Sequence, residues 1–350
     1  MFIATVSMIT FISGAKSRYI KQVCLSVGLM SKQKPKVHRP CFEARLPAST
    51  SNLGPGFDCF GLALKLYLTI RATPLEKSSV ACRVRTTGAR ENATLPRNAT
   101  NLIYRAMAFA ARRECLTLPP VDLAVHNEIP LASGLGSSAA AIVGGIKLCG
   151  LLCEHEIPDQ VVQNYATEFE GHPDNVGASL YGGFVTSCIG EDWKVQSVKF
   201  DWPGEVRMVV VSPQSQLPTH VARAALPRMM SRNDAVFNLQ RTSLFTAALV
   251  KKRYDLFKEA MRDRLHQPRR ESLIPGLAEA LALPQQDGLL GVALSGAGPS
   301  IIALVKDHEK EIGESIARCF SAKKIRSTVR MLEVDNEGCQ MVQRKMSDEL

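Results

Sequence analysis

Hydrophobic and polar positions along the chain alternate between two periods. Phe42 to Pro47 is a short alternating strand, and Gly61 to Arg71 places Leu62, Leu64, Leu66, Leu68 and Ile70 on one face of another. Val80 to Arg85 reads as a third strand and Val121 to Asn127 as a fourth, with helical runs over Leu102 to Arg113 and Ala139 to Cys153. A helix opens at Pro158 and Asp159 and runs through Glu168. Gly182-Gly183 leads into a strand at Phe184, and Val206 to Val211 is a buried strand. Pro218 to Arg223 opens a helix, residues 231–265 read as two helices, and Gly291 to Leu294 and Ile301 to Val305 are strands. A helix over 308–320 and a strand from Lys324 to Val334 close the pattern. No internal repeat or low-complexity stretch interrupts it.

With 350 residues, 45% of them hydrophobic and 22% charged, the chain can build one large or two moderate cores. Its net charge of +10 would suit nucleic acid. Residues 1–42, however, hold seven Lys and Arg and no acid, which leaves only +3 for the rest and no electrostatic footprint for a duplex. That basic stretch reads as an N-terminal extension over 1–41, expected to be disordered. An over-long start with Met30 as the true beginning, or an organelle transit peptide, stays open. Phe2 to Ile12 is too short and lacks the charged start of a secretory signal. No run of eighteen apolar residues suggests a membrane span. Ten cysteines without a Cys-x-x-Cys pair suit a reducing cytoplasm, and Cys149 and Cys153 read as core residues rather than zinc ligands.

The strand–loop–helix junction Pro130-Leu131-Ala132-Ser133-Gly134-Leu135-Gly136-Ser137-Ser138-Ala139-Ala140 carries the chemistry. Glycines let a backbone approach an anion, and a helix N-terminus offers unpaired N–H groups and partial positive charge. The loop lacks the Gly-Lys-Ser/Thr of a Walker A loop and the third glycine of the dinucleotide fingerprint. It therefore reads as a phosphate loop of another kind, with a plain capped helix as the alternative.

Three further clusters stand out. Asn52 and Asp58 flank Gly54-Pro55-Gly56, a tight loop whose polar ends could converge or serve only the turn. Glu170, His172, Asp174 and Asn175 fall within six residues, a solvated turn with a cap at Asp174 being the plain alternative. Thr219 and Arg223 share a helical face, and Arg270 ends a basic run near a helix terminus.

Taken in order, these segments resemble the small-molecule kinases grouped as galactokinase, homoserine kinase, mevalonate kinase and phosphomevalonate kinase. The phosphate loop matches that superfamily's second motif. Pro47-Ala48-Ser49-Thr50-Ser51-Asn52-Leu53-Gly54-Pro55-Gly56-Phe57-Asp58 is close to the first motif of the homoserine kinases in particular. Ser295-Gly296-Ala297-Gly298-Pro299-Ser300 resembles the third motif, which packs beside the phosphate loop. Thr219-x-x-x-Arg223 and Asp263-x-x-His266-x-Pro268-x-Arg270 match two arginine segments of the homoserine kinases.

The resemblance covers about residues 42–334. It implies an α+β, two-domain small-molecule kinase fold with the active site between the domains and no Walker A loop. The expected division is an ATP-binding domain over 42–200 and a C-terminal α+β domain over 201–350. It implies phosphorylation of L-homoserine by Mg²⁺-ATP to O-phospho-L-homoserine, towards threonine. By that resemblance residues 130–140 hold the phosphates and Asn101 lies near the base. Ser137 and Glu170 hold Mg²⁺, with Glu168 the alternative carboxylate. Asn52, Asp58, His172, Asp174, Arg223 and Arg270 orient the amino acid, and Asp58 either binds its amino group or accepts the hydroxyl proton. Alternatives are another kinase of the superfamily, such as one acting on mevalonate, a non-catalytic ATP sensor, or an RNA-binding module. The expected partners are the two substrates, with no nucleic acid or membrane, and a homodimer is compatible with the reading.

Overall fold

The computed structural model describes residues 40–344 except 77, 89–91 and 93. The expected extension over 1–41 lies outside these residues save for its last two. Strand β1 (Cys41–Asn52) runs into a turn at Leu53–Pro55 and returns as β2 (Gly56–Pro74). Both strands are longer than their alternating cores suggest. The ribbon is antiparallel, with Ala44 opposite Ile70, and it survives Pro47 through a register shift between Pro47 and Ala48. Beyond β3 (Cys82–Gly88), helix α1 (Leu102–Arg113) and strand β4 (Val121–Asn127) lie within the boundaries read from the sequence. Asn101 caps α1, its side-chain oxygen accepting from the Ile103 N–H at 3.0 Å.

Helix α2 (Ser137–Leu152) is apolar nearly all round, as a helix buried between layers must be. Its glycines set the spacing of those layers. A Cβ on Gly144 would meet the Leu46 and Ile70 methyls at 2.7 Å, and one on Gly145 would meet the Ile103 carbonyl oxygen at 2.5 Å. The helix thus lies directly on the β1–β2 ribbon and under α1. Helices α3 (Asp159–Glu170) and α4 (Asp174–Tyr181) follow, joined by Gly171-His172-Pro173. The hairpin β5 (Phe184–Ile189) and β6 (Val195–Phe200) then adds to β2 through β5.

Strand β7 (Arg207–Pro213) begins a second sheet. Between it and the sheet's other strands lie α5 (Thr219–Ala224), α6 (Arg232–Val250), and the short helices α7 (Phe257–Ala260), α8 (Gln267–Arg270) and α9 (Leu277–Leu281). The stretch 231–265 is therefore one long helix and one short one, followed by a loop through Asp263. Strands β8 (Leu289–Leu294) and β9 (Ile301–Val305), helix α10 (Glu309–Ser321) and strand β10 (Ser327–Leu332) complete this half. Its sheet order is β10-β7-β9-β8, covered by Ile312, Ile316 and Phe320 of α10. Finally β11 (Gln340–Arg344) crosses back and pairs with β1, giving a seven-stranded first sheet with the path β11-β1-β2-β4-β3. The architecture is mixed α+β, as expected. Among the described residues no helix is long and apolar enough to cross a membrane.

Candidate active site

The β1–β2 turn is built from consecutive left-handed residues: Asn52 at φ 70°, Leu53 at 44° and Gly54 at 90°. Such angles are costly for side chains other than glycine and persist only where surroundings hold them. Here they do. A Cβ on Gly54 would sit 2.0 Å from the Met261 carbonyl oxygen, and the Asn52 amide donates to the Gly296 carbonyl at 3.1 Å. The Asn52 side-chain oxygen accepts from the Asp58 backbone N–H at 3.1 Å, which is the turn chemistry named as the alternative, and the Asp58 carboxylate is left to turn elsewhere.

Asp58 in turn receives both Arg223 terminal nitrogens, at 2.7 and 3.0 Å. Burial opposes the Arg223 charge, but the hydrogen bonds and charge of Asp58 outweigh it and raise its pKa. The guanidinium groups of Arg223 and Arg270 both lie near the Phe57 ring, 5.4 and 5.8 Å from its centre.

The glycine loop lies across this turn. Gly134 (φ 81°) would press a Cβ to 2.2 Å from the Ser295 carbonyl oxygen, and Ser295 Oγ donates to the Gly134 carbonyl at 2.7 Å. The Ser300 N–H donates to Ser133 O at 3.2 Å, so the 295–300 loop packs beside the phosphate loop. Gly136 (φ 68°) precedes α2, and a Cβ there would lie 2.0 Å from Ser49 Oγ. The close approach that Gly136 permits is thus to the protein's own first motif. Pro130 to Ser138 line the cleft, whereas Ala139 and Ala140 are fully buried beneath it and belong to the core. Asn101 also lines the cleft, although its amide is engaged by the α1 N-terminus and the Pro96 carbonyl.

The α3–α4 junction is not a solvated turn. His172 and Asp174 are buried, and His172 Nδ1 lies 2.5 Å from Asp174. Burial alone would lower the His172 pKa, but the charge and hydrogen bond of Asp174, with Glu170 behind, raise it to about 8. Burial likewise opposes ionisation of Asp174, and His172 together with hydrogen bonds from the Asn175 N–H and Ser51 more than offsets it, so that the carboxyl is lowered. Asn175 donates its N–H to Asp174 at 2.6 Å, and its buried side chain accepts from Ser49 Oγ at 2.9 Å and donates to Ser51 Oγ at 3.0 Å. It therefore ties α4 to the first motif beneath Gly136. Of the two acids considered for a metal, Glu168 pairs with Arg113 outside the cleft, while Glu170 accepts from Ser138 Oγ inside it. Glu170 thus bonds Ser138 rather than Ser137, although both serines line the cleft.

Arg270 is 1% exposed and makes no ion pair among the described residues. It donates to the carbonyls of Ala222 and Gly296 and contacts His266 Nδ1. Burial, with the Arg223 charge, lowers it to about 10, which leaves it cationic at neutral pH. These groups meet in one cleft of about 370 Å³, within the roughly 300–1,000 Å³ usual for small-ligand sites. Its lining includes an apolar set, Leu95, Pro96, Leu102, Ile103 and Val125. It also includes Asp58, His172 and Asp174, one donor atom of each lying within 4.8 Å of the others, together with Arg223 and Arg270. Ser49, Ser51, Gly296 and His266 stood inside the motifs but were given no role of their own, because their partners come from segments far away in the chain.

Residues 101–183 match the GHMP kinases N terminal domain family, and residues 245–322 match GHMP kinases C terminal. A curated homoserine kinase of Solibacter usitatus is 41% identical over 279 residues, 80% of this chain and 90% of its own length. The chain belongs to the homoserine kinases. It is an ATP-dependent phosphotransferase acting on a hydroxyl group, of the kind used on the way to threonine. A solved homoserine kinase from Cytophaga hutchinsonii superimposes with a TM-score of 0.76 at 25% identity, covering 91% of this chain and all of that one. A mevalonate kinase from L. major, at 15% identity and a TM-score of 0.60, covers 85% of this chain and 95% of that one, and shares the fold alone. The family matches take in the glycine loop and the segment that ends in Arg270.

Proposed function

We propose that the cleft joins ATP to L-homoserine end to end, so that the γ-phosphoryl passes in line to the side-chain hydroxyl and leaves O-phospho-L-homoserine and ADP. The observation that carries this is the cleft's division of labour. Its lining combines the glycine loop and the α2 N-terminus with an apolar set suited to a base and with paired acids and arginines. The last set matches a zwitterion: Asp58 and Asp174 for the ammonium, Arg223 and Arg270 for the carboxylate. Asp58 is engaged by Arg223, which supports the amino-group role over proton acceptance. A mevalonate-type acceptor has no ammonium for these acids.

Phosphoryl transfer needs positioning and charge neutralisation more than covalent groups. The N–H groups of the first α2 turn, with Gly134 and Gly136, are placed to hold phosphate oxygens. Ser138 and Glu170 would hold Mg²⁺: their oxygens already meet at the head of α2, and hard oxygen donors suit that ion. When bound, Mg²⁺ would offset the negative charge of the phosphates. In this reading Ser137 serves the phosphates, and the expected pairing of Ser137 with Glu170 shifts by one residue. Asn52 and the buried His172–Asp174 pair keep the acceptor end rigid.

The boundary near residue 200 remains our proposal for the two halves, supported by the two family matches on either side of it. The cytoplasm is the proposed compartment. The test is coupled ADP release with Mg-ATP and L-homoserine, L-serine, mevalonate or no acceptor. Release with homoserine alone is expected. Release with mevalonate would discard the zwitterion reading, and ATP binding without release above the blank would favour a sensor.

A further inference from the structure

The cationic side chain of Arg270 reaches the cleft from a nearly closed position, and something must fix its direction. Of its nitrogens, Nε donates to Ala222 O at 3.3 Å, and one terminal nitrogen donates to Gly296 O at 2.8 Å and meets His266 Nδ1 at 3.1 Å. The other terminal nitrogen has no hydrogen bond among the described residues, and Arg270 lines the cleft. Arginine has only N–H donors, so His266 Nδ1 must accept. That requirement is met from the other side of the ring: His266 Nε2 lies 2.7 Å from the Gly54 carbonyl oxygen, which can only accept. The imidazole is therefore neutral, with its proton on Nε2 and its lone pair aimed at Arg270.

The environment supports that state. His266 is fully buried. Its neighbour Asp263 is 3.6 Å from Nε2, but its carboxylate is taken by the N–H groups of Leu265, His266 and Gln267 and by the Asn238 amide. Phe57 packs against the ring at 5.4 Å. The bonds form a closed circuit. Gly54 holds His266, His266 orients Arg270, Arg270 binds the Gly296 carbonyl, and Asn52 binds the same carbonyl two residues from Gly54.

We infer that His266 is a positioning residue that sets the acceptor specificity of the site, aiming Arg270 at the carboxylate of the amino-acid substrate and linking that aim to the Asn52–Gly54 turn. The inference rests on Arg270 as a carboxylate binder. Its chemistry is specific to one ring nitrogen, and amide side chains can separate the two. Asn places an oxygen near Nδ1 and keeps an acceptor for Arg270. Gln reaches the Nε2 position, keeps the Gly54 bond and removes that acceptor.

The experiment compares His266→Asn, His266→Gln and Arg270→Ala. For each, KM is measured for ATP and L-homoserine, and KM or Ki for 3-aminopropan-1-ol, which is homoserine without its carboxylate. His266→Gln is expected to raise the homoserine KM roughly tenfold, about the loss of one charge-assisted hydrogen bond. It should leave the constants for ATP and the aminoalcohol within about twofold. His266→Asn should stay within a few-fold of the parent for all three. Equal effects of His266→Gln on homoserine and the aminoalcohol, or equal effects of the Asn and Gln variants, would overturn the inference. If Arg270→Ala itself fails to distinguish the two acceptors, the carboxylate role of Arg270 fails first. If Arg270→Ala distinguishes them and His266→Gln does not, only the role of His266 falls.

Discussion

Asp58 and Arg223 form a two-pronged ion pair across the acceptor end of the cleft, each about one-third exposed, with contacts of 2.7 and 3.0 Å. An amino acid carries the same two charges on adjacent groups. Its ammonium can take the place of the guanidinium at Asp58, and its carboxylate the place of Asp58 at Arg223. In the proposed reading the pair presents both charges to the substrate without committing either to the core. A charge-assisted hydrogen bond contributes roughly 1.5–3 kcal/mol. Arg223→Ala is therefore expected to raise the homoserine KM by roughly 10- to 100-fold while the ATP dissociation constant stays within about twofold. Arg223→Lys, which loses the planar fork, should recover only part of the loss. Equal losses for both substrates in steady-state kinetics would remove Arg223 from the acceptor site.

The two serines at the head of α2 should separate cleanly. Ser138 is bonded to Glu170, and Ser137 is not. Ser138→Ala and Glu170→Gln are each expected to cut kcat by roughly a hundredfold and to raise the Mg²⁺ concentration giving half-maximal rate, since a metal at transferring oxygens supplies several kcal/mol. Ser137→Ala should alter the ATP KM more than the Mg²⁺ requirement. Titrating Mg²⁺ at saturating ATP distinguishes the serines, and the reverse pattern would return the metal to Ser137.

The His172–Asp174 pair gives a pH dependence of fixed sign. His172 is raised from an unfolded value of 6.5 to about 8. Its contribution, on the order of 2 kcal/mol, is complete below about pH 6.5 and disappears as pH rises through about 8. Asp174 is lowered, so its contribution is present above its unfolded value of 3.8 and is lost as acid takes the pH below the folded one. Urea unfolding of the parent and of His172→Gln should differ most near pH 6 and converge above pH 8.5. A gap that persists at pH 9 would show that packing, not charge, makes the difference.

Gly136 should prove sensitive for an internal reason. A Cβ there meets Ser49 Oγ at 2.0 Å and Asn175 Oδ1 at 3.1 Å, and the residue sits at φ 68°. Gly136→Ala is expected to lose about 1–2 kcal/mol of stability from the left-handed backbone and more from the contact, and to weaken binding of a fluorescent ATP analogue. Combining it with Ser49→Gly should recover part of the stability. If stability is unchanged while ATP binding is lost, the residue acts on the nucleotide alone.

Sequence determined the elements whose own pattern is strong. Leu102–Arg113 carries its cap and its 3.6-residue period within one segment, and Val121–Asn127 its alternation, so both need nothing from elsewhere. The glycine loop was legible because φ angles that only glycine tolerates leave a mark in the residue type. The edge strands β6 and β11 were missed: they are short, and every ladder hydrogen bond they make is with a single neighbour, β5 and β1 respectively. Pro47 hid the length of β1, because only the bulge against β2 lets the strand pass a residue without an N–H. Tertiary structure alone decided which polar groups meet. Ser138 rather than Ser137 faces Glu170 because the pitch of α2, seated on Leu46 and Ile70, turns that hydroxyl towards the end of α3. Arg270 and Asn52 share the Gly296 carbonyl although more than two hundred residues separate them, and His266 reaches Gly54 over a similar span. Side-chain chemistry is written in the chain, but its direction is set by packing between segments that local pattern cannot relate.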